Sequence, residues 1–215
     1  MKKLFIFSLI LFSYYSFSQH EDKKKGVEFM NSGGEKLRNK DTIGAIYDYT
    51  KAIESFNDKN DGGLILVYHW RGSLKAALKD YRGAIQDLSK AIEIAPKFVL
   101  SYIKLAEIQI ELKDYSGAIL NLSKLFDNYG TTEFMDKYKA YILRSQAKFY
   151  NGDYRGTISD INICIEYSPK EGILYYMRGF SELSIGNKES GCNDLSKAGE
   201  LGFSDAYKII KTFCN

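Results

Sequence analysis

Three cysteines and two histidines are the side chains best suited to metal, redox or nucleophilic chemistry. His20 lies near the start of the chain and His69 stands alone in its segment. No Cys/His grouping has metal-site spacing. No glycine-rich loop would cradle a phosphate, and no Gly-x-Ser-x-Gly would present a nucleophile. Carboxylates are numerous, but they recur at fixed intervals, which marks them as helix caps and solvated faces. Without a nucleophile–base pair or a metal constellation, catalysis is not expected and no cofactor is implied. The chemistry left to the chain is disulfide formation and the recognition of another molecule by a surface.

That surface must come from a repeated element. The stretch DYRGAIQDLSKAIEIAP begins at Asp80, and related stretches begin at Asp41, Asp114, Asp153 and, in a degraded copy, Asn187. The successive steps are 39, 34, 39 and 34 residues. Within the Asp80 copy, Ala84, Ile85, Leu88, Ala91, Ile92 and Ala95 recur at helical spacing and form one apolar stripe. Asp80 precedes the helix, where a carboxylate caps it and favours its N-terminal dipole. Pro96 ends it, and Pro169 holds the same place in the fourth copy. These are the only two prolines in the chain.

A second helix lies upstream of each copy. YHWRGSLKAALKDY (68–81) and YYMRGFSELSIGNK (175–188) match in register. Gly33, Gly72, Ala106, Ser145 and Gly179 occupy one small position. Ala45, Ala84, Ala118, Thr157 and Gly191 occupy the matching position of the following helix. Small residues at both places let the two helices approach closely. Tyr81, Tyr115 and Tyr154 add a ring at each turn.

These residues and the 34-residue period resemble the tetratricopeptide repeat (TPR) family, over about residues 26–205. The departures are local: Thr42 and Lys188 replace the turn tyrosine, and Leu125, Cys164 and Gly130 replace the expected Ala, Ala and Pro. The resemblance implies an all-α protein, a right-handed α-solenoid of five TPR-like helix-turn-helix repeats plus a C-terminal capping helix. The repeats are expected at about 26–59, 65–98, 99–132, 138–171 and 172–205, stacked because one repeat cannot bury its own face. The first extra five residues coincide with NDKNDGG (57–63), read as a longer loop. The second coincide with GTTEFMDK, where Thr132 could cap a helix that starts one turn early. At the C-terminus, Ser204 or Asp205 can cap a last helix (206–215) with Ala206, Ile209, Ile210 and Phe213 inward.

The N-terminus reads differently. Lys2 and Lys3 precede an apolar run from Leu4 to Phe12, and Ser16 and Ser18 provide small residues for cleavage before Gln19, the pattern of a secretory signal peptide. The alternative is an uncleaved anchor, but the uncharged run from Leu4 to Gln19 is short of the roughly 20 residues that span a bilayer. Residues 1–18 are therefore expected as a signal peptide, 19–25 as a polar flexible segment, and the mature protein as periplasmic or secreted. Cleavage removes two lysines and leaves 28 basic against 27 acidic residues, about +1. That balance does not suit an electrostatic nucleic-acid binder. No second hydrophobic segment reaches membrane length, and no small-molecule substrate is inferred.

Export gives the cysteines a meaning. Cys164 falls at a small inward position, as a buried thiol. Cys192 opens the last repeat's second helix and Cys214 ends the capping helix. If those helices form a hairpin turning near Gly202, the two come level, and an oxidising compartment can close them. The alternative is two thiols too far apart to bridge.

The resemblance also implies a concave groove lined by the first helices, where a protein or extended peptide binds. Its positions fall on Met30, Leu37 and Arg38, then on His69, Ser73 and Ala77, and then on Ile103, Glu107 and Ile110. Ile142, Gln146, Phe149 and Tyr150 follow, and Tyr176, Phe180 and Leu183 complete the set. The Lys/Asn set that clamps a C-terminal carboxylate in some relatives is missing. The expected function is a non-enzymatic protein–protein interaction scaffold. The alternatives are a structural subunit of an envelope complex and an unrecognised enzyme.

Overall fold

A left-handed residue precedes each repeat's capping position. Lys40, Lys79, Lys113, Gly152 and Gly186 all have φ between 61° and 92°. Each reverses the chain at the end of a first helix. The next residue's N–H then donates back to a carbonyl five positions earlier, from Asp41 to Lys36 and from Asp80 to Lys75, at 2.9 Å in both. This is the left-handed helix stop, with glycine in two copies and lysine in three. Asp41, Asp80, Asp114 and Asp153 then cap the second helices, accepting from the N–H of Gly44, Gly83, Gly117 and Gly156 at 2.8–3.0 Å. Asn187 makes no such cap; its side chain donates to Glu182 instead.

The computed structural model describes residues 21–56, 61–128 and 134–214, all of whose regular elements are helices. Residues 21–38 form α1. Then come α2 (Thr42–Ser55), α3 (Gly62–Ala77), α4 (Tyr81–Ile94), α5 (Val99–Glu111) and α6 (Tyr115–Asn128). The remaining helices are α7 (Phe134–Tyr150), α8 (Tyr154–Tyr167), α9 (Gly172–Ser184), α10 (Lys188–Glu200) and α11 (Ala206–Phe213). No described helix is long and apolar enough to cross a membrane. Residues 1–18, expected as a signal peptide, part of the 57–63 segment expected as a loop, Gly130 and Thr132 lie outside the described residues.

Two expectations are corrected here. Residues 21–25 are helical, continuing into α1, where Lys23 pairs with Asp61 at 2.7 Å. Gly62 and Gly63 are not loop but open α3, and Asp61 caps it by accepting from Gly63 N at 2.8 Å.

The chain divides into two compact units between Ser101 and Tyr102. In the first, α2 packs on α3 and α3 on α4. Ala45, Tyr49, Ala52, Phe56, Leu64 and Val67 form its buried cluster. In the second, each helix from α6 packs on the next, and α11 rests on α9 as well as on α10. Ile161, Cys164 and Leu174 form one cluster there, and Leu195, Ala198 and Ala206 another. Every residue at the two small positions is buried. At the α9/α10 crossing a Cβ on Gly179 would stand 2.8 Å from the Gly191 carbonyl oxygen, and one on Gly191 2.8 Å from the Gly179 carbonyl oxygen, so neither helix admits a larger residue there without moving.

A buried ionic clasp accompanies the small positions, and here the reading of carboxylates as caps and solvated faces fails. Asp48, Asp87, Asp160 and Asp194, seven residues after each capping position, are buried. Arg71, Arg144 and Arg178, nine residues before it, grip the last three in two-pronged pairs of 2.6–2.9 Å. Lys36, Lys75 and Lys148 add a second or substitute cation at 2.8–2.9 Å. Each arginine's remaining nitrogen reaches the preceding repeat, at Thr50, Ser123 or Asn162. The clasp therefore closes a hairpin and ties it to its neighbour. Repeat three replaces it with neutral groups: Leu105, Gln109 and Asn121, the last two joined by a 2.9 Å hydrogen bond.

At the C-terminus Cys192 and Cys214 are joined by a disulfide, with Cα atoms 5.7 Å apart. It ties α11 to the start of α10. Ala206 is buried and Ile209 and Ile210 pack on its cluster, but Phe213 is 53% exposed, contrary to the expected inward face. Asp205 precedes α11 without a side-chain cap bond. Cys164 is fully buried, and burial, with Asp160 and Glu171 adding to it, pushes its thiol up to about 12, so it is inert.

Candidate functional site

The second unit holds a cleft of about 340 Å³ between α7 and α9, at the low end of the roughly 300–1,000 Å³ of ligand sites. From α7 it takes Tyr138, Ile142, Gln146, Phe149 and Tyr150. From α9 and the residue before it come Glu171, Ile173, Leu174, Tyr176 and Met177. Helical periodicity explains the α7 set, since residues 138, 142, 146 and 149 share one face. Ala147 projects from the opposite side of the helix, into the core.

Five of the expected groove residues, Ile142, Gln146, Phe149, Tyr150 and Tyr176, line this one cleft. Phe180 joins them through a continuous ladder of rings. Tyr115 stacks on Tyr150 at 5.4 Å, Tyr150 meets Phe149 edge-on at 5.6 Å, and Phe149 meets Phe180 at 5.4 Å. Phe180 adjoins Tyr176 at 6.4 Å, and Tyr176 packs on Phe203 at 4.7 Å. Tyr150 at the rim is 57% exposed. Burial pushes the Tyr176 phenol above its ordinary value, with Asp205 adding to it, so it stays neutral at physiological pH.

The polar groups sit toward the other end. The Tyr138 hydroxyl is buried, with Ser168 and Glu171 as its polar neighbours. Glu171 precedes α9 without capping it. Tyr138 and Glu171 were not among the expected groove residues. Their signal was available: Tyr138 lies one helical turn before Ile142, and Glu171 two residues after Pro169.

The other expected residues take different roles. Ile103 is 4% exposed and belongs to the core, which corrects its assignment to a groove. Glu107 is half-buried and held by Lys139 at 2.6 Å and Lys104 at 3.1 Å. Burial opposes its charge, but those hydrogen bonds outweigh it and keep the carboxyl below its ordinary value. His69, in the first unit, meets Ser101 at 3.1 Å through Nδ1 and Phe98 edge-on at 5.3 Å. Met30, Leu37 and Arg38 line a separate cleft of about 520 Å³ with Tyr49 and Trp70. Among the described residues no group of three or more His, Cys, Asp or Glu is arranged to hold a metal ion.

Comparison with known proteins bears on the fold. A family model described as tetratricopeptide repeat matches residues 65–98. A search of the curated proteins finds no match. Among solved structures the chain is similar to YrrB, described as a TPR protein with an unusual peptide-binding site. The TM-score is 0.74 at 16% identity, covering 92% of this chain and 97% of that one. It is also similar to MamA (41-end) from Desulfovibrio magneticus RS-1, with a TM-score of 0.67 at 18% identity over 84% and 96% of the two chains. A third is a tetratricopeptide repeat protein from Parabacteroides merdae, with a TM-score of 0.57 at 18% identity over 88% and 84%.

Proposed function

Since the chain has the tetratricopeptide-repeat fold and carries a recognised copy of that repeat at residues 65–98, we propose that it is an exported, non-enzymatic scaffold that binds an extended protein segment in the cleft between α7 and α9. One observation carries this: the open aromatic ladder from Tyr115 to Phe203, which leaves rings at a cleft where a core would have closed over them. Exposed, rigid aromatic side chains are the usual anchors of protein recognition. The small residues and clasps hold the helix pairs; the rings they present do the binding. YrrB, with its described peptide-binding site, supports this use of the fold. Export rests on the N-terminal Lys2–Ser18 pattern and suits a disulfide between Cys192 and Cys214.

A photo-crosslinking residue at Tyr150, expressed in the native host, tests the site. Leu120, exposed on α6 outside the cleft, is the control position. A partner joined from position 150 and not from 120 is the expected result. Equal capture from both positions, or none from 150, would remove the cleft as the binding site. Recovery of mature protein beginning at Gln19 outside the cytoplasm tests export.

A further inference from the structure

We infer that the occupant of the α7/α9 cleft is a basic-hydrophobic segment: an extended peptide with a bulky apolar anchor and a Lys or Arg a few residues away. This rests on the proposed use of the cleft for peptide binding and adds the chemistry of what it binds. Among the described residues the cleft is lined by one formal charge, the Glu171 carboxylate, and by no cation. Glu171 neither caps its own helix nor takes part in a salt bridge among the described residues. Beside it lies the buried Tyr138 hydroxyl, whose polar neighbours are Ser168 and Glu171. The charged groups Asp205 and Lys208 act electrostatically on Tyr176, as does Tyr150, and the two charged groups are paired with each other at 2.7 Å.

The rings favour the same sign. Aromatic faces carry negative potential and attract a guanidinium or ammonium. The protein already uses this pairing: the Arg144 guanidinium lies 4.4 Å from the Phe126 ring centre, and Arg178 lies 5.5 Å from that of Tyr175. The lining separates into two ends. Tyr138 lies near the start of α7 and Phe149 near its end, and eleven residues at 1.5 Å put them about 16 Å apart. An extended chain crosses that distance in about five residues. With the anchor between Ile142, Phe149 and Tyr176, the cation reaches Glu171 about three to five positions along.

The test is selection from a displayed random-peptide library on the purified protein, beside its Glu171→Gln and Phe149→Ala/Tyr176→Ala variants matched for helicity. Gln146→Lys is a fourth target, since it adds a cation to the cleft without trimming the ladder. Wild type is expected to enrich peptides with an aromatic or large aliphatic residue and a Lys or Arg at that spacing. Glu171→Gln keeps the apolar preference and loses the basic one, weakening the best peptide by about 5-fold, as for a partly exposed ion pair. Gln146→Lys selects against basic peptides. Enrichment that depends on Phe149 and Tyr176 but carries no basic bias, or the same bias with Glu171→Gln, overturns this inference alone. No enrichment, or enrichment indifferent to Phe149, Tyr176 and Gln146, overturns the binding reading with it.

Discussion

Replacing Arg144 by leucine should destabilise the protein strongly, and adding two further substitutions should largely repair it. Arg144 makes two bonds to Asp160, at 2.9 and 2.7 Å, and reaches Ser123 at 3.3 Å. Its loss leaves a carboxylate only 2% exposed with a single cation, Lys148, at 2.9 Å. Breaking a buried pair typically costs 3–5 kcal/mol, and the remaining lysine places this case near 3 kcal/mol. At 2–4 °C per kcal/mol for a chain of this size, the melting temperature should fall by roughly 6–12 °C. Repeat three shows the neutral alternative, with Leu105, Gln109 and Asn121 at the corresponding positions. Gln109 also donates to its repeat's capping Asp114 at 3.1 Å, and Asp153 stands ready for the same bond in repeat four. The triple variant Arg144→Leu/Lys148→Gln/Asp160→Asn removes all three charges together and should lie within about 1 kcal/mol of wild type, because a satisfied neutral group carries no desolvated charge. Thermal unfolding followed by circular dichroism measures both. A single variant within 2 °C of wild type, or a triple variant no better than the single, would refute the clasp as an energetic element.

Three further predictions follow from the same packing. Gly179→Ala should destabilise by about 1–3 kcal/mol, since the new methyl would stand 2.8 Å from a backbone oxygen; Gly34→Ala, whose Cβ meets open space inside a helix, should instead gain up to about 1 kcal/mol. Cys192→Ser/Cys214→Ser opens a loop with a sequence separation of 22, worth about 3 kcal/mol by loop closure, and hydrogen exchange should quicken chiefly over 203–214; uniform exchange in both proteins would deny the disulfide a role in fixing α11. Acid should weaken the fold through carboxyls whose pKa is depressed on folding. At Asp61 the Lys23 hydrogen bond outweighs burial, and at Asp48 burial is outweighed by Lys36 and Ser32. Their stabilisation is present above the unfolded carboxyl value near 3.8 and is lost as pH falls through the lower folded values. Melting temperatures unchanged from pH 5 to about pH 2.5 would contradict this.

The hairpins were legible because local rules fix them. Asp80 before an apolar stripe, Gly72 facing Ala84 and proline after Ala95 are each decided within one or two turns of helix. The clasp was not, because Arg71 and Asp87 look like surface charges when each helix is read alone. They meet only when the hairpin folds, and the signal was the constant separation of 16 residues, repeated at 144–160 and 178–194. The cleft was half legible for a related reason. Repeat phase assigns a face of a helix but not what covers it, so it put Phe149 and Tyr176, which line one cleft, on the same face as Ile103, which is buried. The left-handed turns were not read from the sequence: glycine marks them only at 152 and 186, and lysine adopts the same geometry at 40, 79 and 113.

The most direct measurement of the central claim is calorimetric titration of the best selected peptide into wild-type protein and the Phe149→Ala/Tyr176→Ala variant at matched helicity, with Gln146→Lys beside them. The account predicts that the double variant loses binding by more than about tenfold, the scale of a single aromatic hot spot. Equal affinity in all three proteins would contradict the α7/α9 cleft as the place where this chain holds its partner.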